Sequence, residues 1–356
     1  GHAQDQTGSE HELNPANPYE DLLGELKEAI AIVDEFFRAH QFKLSRIILA
    51  QGFGRNGAIA DAKEIINEND ETRKRFEIMA RQVFIKFKAC INLPEINDYR
   101  EKRDVINIVY KSLQADKDKA DISALMRQLH ETVDDHIDIV KSAHKDFRQP
   151  YDISAIDFER LRQEFVQHKQ KNTLTQSLKQ VIEKRLQHMM EQNPLRTDFQ
   201  AHYEKLIIDY NSERKQQTIE QTFDALLKLY DGLDQEDKRA AREGMTEETL
   251  AIFDLLNKPD LDKKSIKTIK AVAHRLLDRL KHSQLKMDNW REKEASRDAV
   301  KKSIHDFLYA DDTGLPVESF DENEVQAASD KVFIHIYRAY PYLPSPVYRT
   351  EDDTRH

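Results

Sequence analysis

The sequence predicts an all-α protein, an irregular multi-helix array of two to three helical subdomains. Gly and Pro together number 19 among 356 residues, about half the share that is usual in globular proteins. Apolar residues recur every three or four positions along most of the chain, and no segment shows the strict alternation of a strand. Charged residues make up 34% of the chain, as expected of helices with one solvated face.

Composition also limits where the protein works. Hydrophobic residues (39%) suffice for a core, but no apolar run approaches the roughly 20 residues that a membrane-spanning helix needs. We therefore expect no membrane association. The sequence starts without a charged and then apolar leader, and its single cysteine, Cys90, rules out an internal disulfide. Both features favour a reducing, cytoplasmic location.

The first part of the chain is predicted to be a linker or cloning remnant (residues 1–18) followed by an N-terminal helical subdomain (19–150). Apolar spacing predicts helices over 19–39, 44–50, 55–67, 70–89, 94–113 and 121–140, with Asp70 and Asp121 as N-caps. The polar segment 114–120 is predicted to be a break. Gly52, Gly54 and Gly57 are expected to provide a tight turn and close helix packing.

A middle helical subdomain (151–284) and a C-terminal helical subdomain with an extended tail (285–356) complete the predicted organisation. Helices are predicted over 158–165, 174–190, 199–210, 219–231, on either side of Gly244, over 262–281 and over 321–340. Gln149-Pro150-Tyr151 marks the first boundary, and Gly232 is expected to end a helix. The tail PYLPSPVY is expected to lie extended on the surface.

The stretch Leu285–Leu308 holds the only tryptophan, Trp290. Read as one helix, it places Trp290, Glu294 and Arg297 on a single stripe. A charged pair beside the largest apolar side chain indicates a candidate docking face for a partner. The alternative is a solvated helix with Trp290 fixed in the core of the protein, and the residues alone leave both interpretations open.

A basic block in an otherwise acidic chain is the second candidate site. Net charge is −10, yet residues 258–302 contain 14 Lys or Arg against 7 Asp or Glu. Helical spacing aligns several of the lysines, and cationic helix faces neutralise DNA phosphates. The candidate DNA contacts are Lys263, Lys267, Lys270, Lys281, Arg291 and Lys293. A solvated lysine-rich helix explains the same pattern.

We find no pattern of residues that indicates a catalytic, cofactor-binding or metal site. The glycines of QGFGRNGAIA are not followed by the Lys and Ser or Thr of a phosphate-binding loop. No two histidines lie three or four residues apart as in a helical zinc site, and one cysteine cannot build a thiolate site. Independent enzymatic activity is therefore not expected from the motifs of this chain.

Several segments together resemble the C-terminal helical region of the restriction (R, motor) subunit of type I restriction-modification enzymes. They include GFGRNGAIADAKEIINENDETRKRFEIMARQVFIKFKACIN (52–92), NWREKEASRDAVKKSIHDFLY (289–309) and VFIHIYRAYPYLPSPVY (332–348). Further segments lie at 106–123, 151–165, 195–211 and 222–256. None of them is a catalytic motif, so the resemblance rests on their order over some 300 residues.

The resemblance implies a role inside a DNA-cleaving machine. In that family the complete subunit carries a nuclease domain and two helicase-type ATPase domains, which use ATP and Mg, ahead of the helical region. The holoenzyme recognises DNA through methyltransferase and specificity subunits. The resemblance transfers no catalytic residue and no cofactor to these positions.

Two functions are therefore expected, in this order. The first is a non-catalytic region that braces the nuclease and motor domains of its own subunit and attaches them to the methyltransferase and specificity subunits. The second is a duplex-DNA contact module that lines the translocation path. In either case the parent would act as an ATP-dependent restriction endonuclease in defence against phage.

Overall fold

The computed structural model describes residues 18–118, 120–134, 158–212 and 218–349, and within these ranges the regular structure is helical throughout. The all-α prediction is thereby confirmed. The helices of these ranges are α1 Pro18–Ala39, α2 Ser45–Leu49, α3 Gly52–Ile66, α4 Asp70–Ala89, α5 Asn97–Asp118, α6 Ile122–Asp134, α7 Phe158–Gln167, α8 Lys171–Gln192, α9 Thr197–Asn211, α10 Ile219–Asp237, α11 Arg239–Arg242, α12 Glu247–Leu256, α13 Lys263–His282, α14 Glu294–Tyr309 and α15 Glu322–Ala339. Short 3₁₀ turns occupy Pro94–Ile96 and Gln284–Lys286. The predicted boundary at 149–151 and nearly all of the predicted linker lie outside the described residues.

The chain divides into two compact units, and its division into three helical subdomains stays a prediction. One unit comprises residues 1–177 and 213–215, and the other comprises residues 178–212 and 216–356. The division falls inside α8. One buried apolar cluster runs from Ala240 to Tyr340 and includes side chains on both sides of position 284/285.

The core of the first unit is built by α1 to α5. Helices α1 and α4 pack along each other, and their aromatic side chains meet in the interior. The rings of Phe37 and Phe76 lie 5.7 Å apart at 67°, an edge-to-face arrangement that aromatic pairs favour. Phe36 joins them with its ring 6.1 Å from that of Phe76. The apolar stripes read from the sequence thus face one another.

Two details of the first unit correct the prediction. Asn69, not Asp70, caps α4, and its side-chain oxygen accepts from the backbone N–H of Thr72 at 2.8 Å. Asp70 instead occupies the first turn, where a negative charge is favourable. Helix α5 continues through the predicted polar break to Asp118, because Gln, Ala and Lys are good helix formers and neither Gly nor Pro interrupts them.

The glycine-rich turn also differs from its predicted role. Gly52 begins α3 with φ at +53°, a conformation that favours glycine. A side chain at Gly57 would meet no neighbour within 4 Å, so close helix packing does not explain that glycine. The turn before α3 needs one glycine, not three.

A side chain of α3 caps the N-terminal end of α8. The carboxylate of Glu64 accepts the backbone N–H of Asn172 at 2.7 Å and that of Thr173 at 2.9 Å. These are among the first N–H groups of α8, which have no partner within their own helix. Burial raises the pKa of Glu64, against the lowering effect of these hydrogen bonds. All three residues belong to the first unit.

In the second unit, α11 to α15 enclose Trp290. Its side chain has 0% exposure, and its indole N–H donates to the carbonyl oxygen of Tyr340 at 2.9 Å. The ring of Tyr337 meets the indole edge to face at 5.9 Å. The prediction left open whether Trp290 faces the core or a partner, and the structure places it in the core.

The stretch Leu285–Leu308 is not one helix. After α13 the chain forms the 3₁₀ turn and then an irregular segment in which Asn289 has φ at +53°. A left-handed residue cannot continue a right-handed helix, so α14 begins only at Glu294. The predicted stripe of Trp290, Glu294 and Arg297 therefore does not exist as a helix face.

Helix α10 departs from expectation in the second unit. Helix α10 passes through Gly232 and ends at Asp237, because Leu233 is fully buried and this burial outweighs the roughly 1 kcal/mol that glycine costs in a helix. The tail after Tyr340 forms no helix, and its apolar side chains pack on the core. Leu343, Val347 and Tyr348 contact the core, and the Ser345 hydroxyl donates to the Ala339 carbonyl at 2.5 Å.

We expect Trp290→Ala to lower the free energy of unfolding of the second unit by about 3–5 kcal/mol, because the substitution leaves a large cavity. It also removes the donor that satisfies the Tyr340 carbonyl. Urea denaturation followed by circular dichroism measures the effect. The control is Val317→Ala, at a site that is 71% exposed, which should change stability by less than about 0.5 kcal/mol. A loss below about 1 kcal/mol for Trp290→Ala would contradict the organising role given to this side chain.

Candidate docking and DNA-contact surfaces

The three residues predicted for docking occupy different environments. Trp290 is buried, Glu294 is exposed at the first position of α14, and Arg297 is half-buried. The Arg297 guanidinium donates to the backbone carbonyl of Arg291 at 2.9 Å. Trp290 therefore offers no surface to a partner and instead holds the segment that leads into α14. The assignment of Glu294 and Arg297 to a docking face stays a prediction.

The six predicted DNA contacts differ in whether a nearby carboxylate offsets their positive charge. Lys270 lies 2.5 Å from the Glu243 carboxylate, and Lys281 pairs with Glu248. Lys263, Lys267 and Lys293 are exposed and form no ion pair within the described part of the chain. The sixth, Arg291, places its guanidinium 4.5 Å from the centre of the Tyr337 ring, a cation–π contact.

This pairing weakens the positive potential of the basic block. The hydrogen bond from Lys270 lowers the pKa of Glu243, so this carboxylate is ionised at neutral pH and offsets the lysine charge. Of the six predicted contacts, Lys293 stays without an ion pair just before α14, and Lys263 and Lys267 stay without one near the N-terminal end of α13, within the part of the chain that the structure describes. Asp262 caps the same end, and its carboxylate accepts from the backbone N–H of Ser265 at 2.8 Å.

A network of buried charges ties α10, α11 and α12 to the loop between α8 and α9. The side chain of Arg196 is 3% exposed and lies 3.2 Å from Glu236 and 2.9 Å from Glu247. Arg239 donates to both oxygens of Asp254, at 3.0 and 2.6 Å, and Asn193 donates to the same carboxylate at 2.6 Å. Burial raises the pKa of Glu247, and the nearby Arg196 opposes that effect.

Sequence reasoning missed this network. Arg196 and Glu236 lie 40 residues apart in the chain. Asn193 and Asp254 lie 61 residues apart, so no helical spacing relates either pair. The only sequence signal is weak: an arginine directly follows the helix-ending Asn193-Pro194-Leu195. Buried ion pairs of this kind hold helices in one arrangement, since breaking them would leave a buried charge without a partner.

A cleft of about 640 Å³ opens on the second unit, a volume typical of binding pockets. Part of its lining comes from α9, Pro194 and Val347. One wall is a face of α8 formed by Glu183, Leu186, Gln187, Met190 and Glu191, and the other is a face of α15 formed by Lys331, Ile334, His335 and Arg338.

A chain of hydrogen bonds fixes the tail beside this cleft. The Tyr348 hydroxyl donates to the Gln192 carbonyl at 2.6 Å and accepts from Nε2–H of His335 at 2.8 Å. Burial raises the pKa of Tyr348, which keeps the hydroxyl protonated as a donor. Burial lowers the pKa of His335 to about 4, and the charge of Arg338 acts in the same direction.

The described residues do not assemble a site for metal chemistry. Within those ranges no three His, Cys, Asp or Glu side chains are placed to hold a metal ion together. A membrane-spanning helix is likewise missing from the described residues, since none of their helices is both long and apolar enough.

The described residues define a class of protein: a helical region of two units in which ion pairs link the helices of the second unit. Residues 9–333 match the family described as Type I restriction enzyme HindI endonuclease subunit-like, C-terminal. The chain belongs to this family and represents the C-terminal region of a type I restriction endonuclease subunit. No curated protein and no solved structure shows significant similarity to it.

We expect the stability of the second unit to fall as the pH drops from about 6.5 to about 4. His335 in the unfolded chain takes up a proton near pH 6.5, whereas folded His335, with its pKa of about 4, does not. The stability from this group is therefore complete above pH 6.5 and is lost as the pH falls, by up to roughly 3 kcal/mol.

Urea denaturation followed by the fluorescence of Trp290 measures this effect between pH 7 and pH 4.5. The difference in stability between the native chain and His335→Gln should shrink as the pH falls. Val317→Ala, at a site that is 71% exposed and carries no titratable group, serves as the control and should keep a constant difference. Parallel pH profiles for the native chain and His335→Gln would rule out the assigned role of His335.

Proposed function

We propose that this chain is a non-catalytic assembly region that braces the motor of its restriction subunit and attaches it to the methyltransferase and specificity subunits. The observation that carries the proposal is the fixed placement of the surface between α13 and α14. Trp290 anchors this segment to the end of α15, and the Arg297 guanidinium donates a hydrogen bond to the Arg291 carbonyl. A charged surface on such a support loses little conformational entropy when a partner binds.

The buried charge network supports the bracing part of the proposal. Arg196, Glu236 and Glu247 join three separate segments within the second unit, and Arg239 with Asp254 adds a second two-point link. A brace must transmit force without rearranging. Charged contacts that are costly to break meet this requirement better than apolar contacts, which can repack.

The double variant Glu294→Lys, Arg297→Glu reverses two charges in the first turn of α14. We expect it to bind the methyltransferase–specificity complex at least tenfold more weakly than the native chain does. Like charges placed against a complementary surface oppose association. Pull-down and titration of the full chain with the purified complex measure the effect. Lys205→Glu, an exposed site on α9, is the control. Unchanged affinity of a folded double variant would remove this face from the role, and no binding by the native chain would reject the attachment function.

A second candidate function is contact with the translocated duplex. Its support is the pair of exposed lysines Lys263 and Lys267, which form no ion pair with any residue that the structure describes. The pairing of Lys270 with Glu243 and of Lys281 with Glu248 counts against a larger phosphate-binding surface.

If this second function holds, the chain should retard duplex DNA at about 50 mM salt and release it at about 200 mM, because phosphate contacts depend steeply on salt. Lys263→Glu with Lys267→Glu should abolish retardation, whereas Lys205→Glu should not. Absence of any retarded band at the lower salt concentration would reject duplex contact.

A further inference from the structure

The cleft between α8 and α15 has two walls of opposite charge, and its α15 wall leaves two cations unpaired. Lys331 and Arg338 project from α15 at one edge of the cleft, and neither forms an ion pair within the described residues. Glu183 and Glu191 lie along the α8 edge. The Glu183 carboxylate accepts from the Tyr203 hydroxyl, and Gln187 donates to Glu191 at 3.1 Å.

The residues of each wall lie along one face of their own helix. Lys331, Ile334, His335 and Arg338 stand at i, i+3, i+4 and i+7 along α15. Glu183, Gln187 and Glu191 follow α8 at steps of four. At 1.5 Å per residue these faces extend for about 10 and 12 Å, which is the length of about two helical turns.

Apolar side chains line the cleft between the charged edges. Leu186 and Met190 come from α8, and Ile334 from α15. Ile334 leaves 50% of its surface exposed, although it belongs to a helix whose other apolar residues are largely buried. Pro194 and Val347 complete the apolar lining.

The walls are held in place before any ligand arrives. The Tyr348 hydroxyl fixes the tail to the end of α8 through the Gln192 carbonyl, and Trp290 holds the end of α15 through the Tyr340 carbonyl. A groove that is already formed binds without the entropy cost of ordering its own segments.

We propose that this cleft binds an amphipathic helix of a partner protein. The helix would place its apolar stripe against Leu186, Met190 and Ile334, as amphipathic helices do in hydrophobic grooves. Acidic side chains on one flank would pair with Lys331 and Arg338, and basic side chains on the other would face Glu183 and Glu191. Because the two flanks of the bound helix would carry opposite charges, this complementarity fixes the direction in which that helix lies in the cleft. The inference rests on the proposed attachment function, because it identifies the partner segment as part of the methyltransferase–specificity complex.

A photo-crosslinking amino acid at position 334 tests this inference in the full chain. With the purified methyltransferase–specificity complex, it should crosslink to a peptide of that complex with apolar residues at helical spacing and acidic residues on one flank. The same amino acid at Ile208, which is 68% exposed on α9 and outside the cleft, should give no such product.

Charge reversal provides the second measurement. Lys331→Glu with Arg338→Glu should weaken binding of the complex at least tenfold, whereas Lys331→Arg with Arg338→Lys should stay within about twofold of the native affinity. Lys205→Glu should bind as the native chain does. The fluorescence of Trp290 verifies that each variant is folded.

The outcomes separate the two proposals. If the complex binds the native chain but neither crosslinks at position 334 nor responds to charge reversal, the cleft is not the docking site and the attachment function stands. If the complex does not bind the native chain at all, both proposals fail. Crosslinking of position 334 to a second copy of this chain, instead of to the complex, would overturn the inference in favour of self-association.

Discussion

The hydrogen bond between the Trp290 indole and the Tyr340 carbonyl is the contact on which the second unit depends. An indole N–H that is removed from water needs an acceptor. A carbonyl oxygen at the C-terminal end of a helix has no N–H donor within that helix. One bond of 2.9 Å satisfies both groups. It joins the irregular segment before α14 to the end of α15.

Charge serves three different purposes in this chain. Inside the second unit, Arg196 and Arg239 link helices through carboxylates. On α13, glutamates neutralise two of the lysines that the sequence offers as DNA contacts. Around the cleft, Lys331 and Arg338 stay without a carboxylate among the described residues. The net charge of −10 describes none of these arrangements, since each depends on which side chains meet in space.

Membership in the restriction endonuclease family gives these features a common context. The proposed attachment function requires faces whose shape does not change when a partner binds. Trp290 supports one such face, and the hydrogen bonds of Tyr348 support another. The two proposed surfaces lie on α14 and α15, which pack against each other. A partner that engages both would gain affinity from two linked contacts.

The sequence by itself determined the all-α class, most of the helices and the family, because helical apolar spacing and local segment identity are properties of neighbouring residues. Only the tertiary structure decided that Trp290 is internal and that α10 continues through Gly232. It also brought together Arg196 with Glu247, and α8 with α15 across the cleft. These outcomes depend on contacts between residues distant in the chain, for which periodicity carries no information.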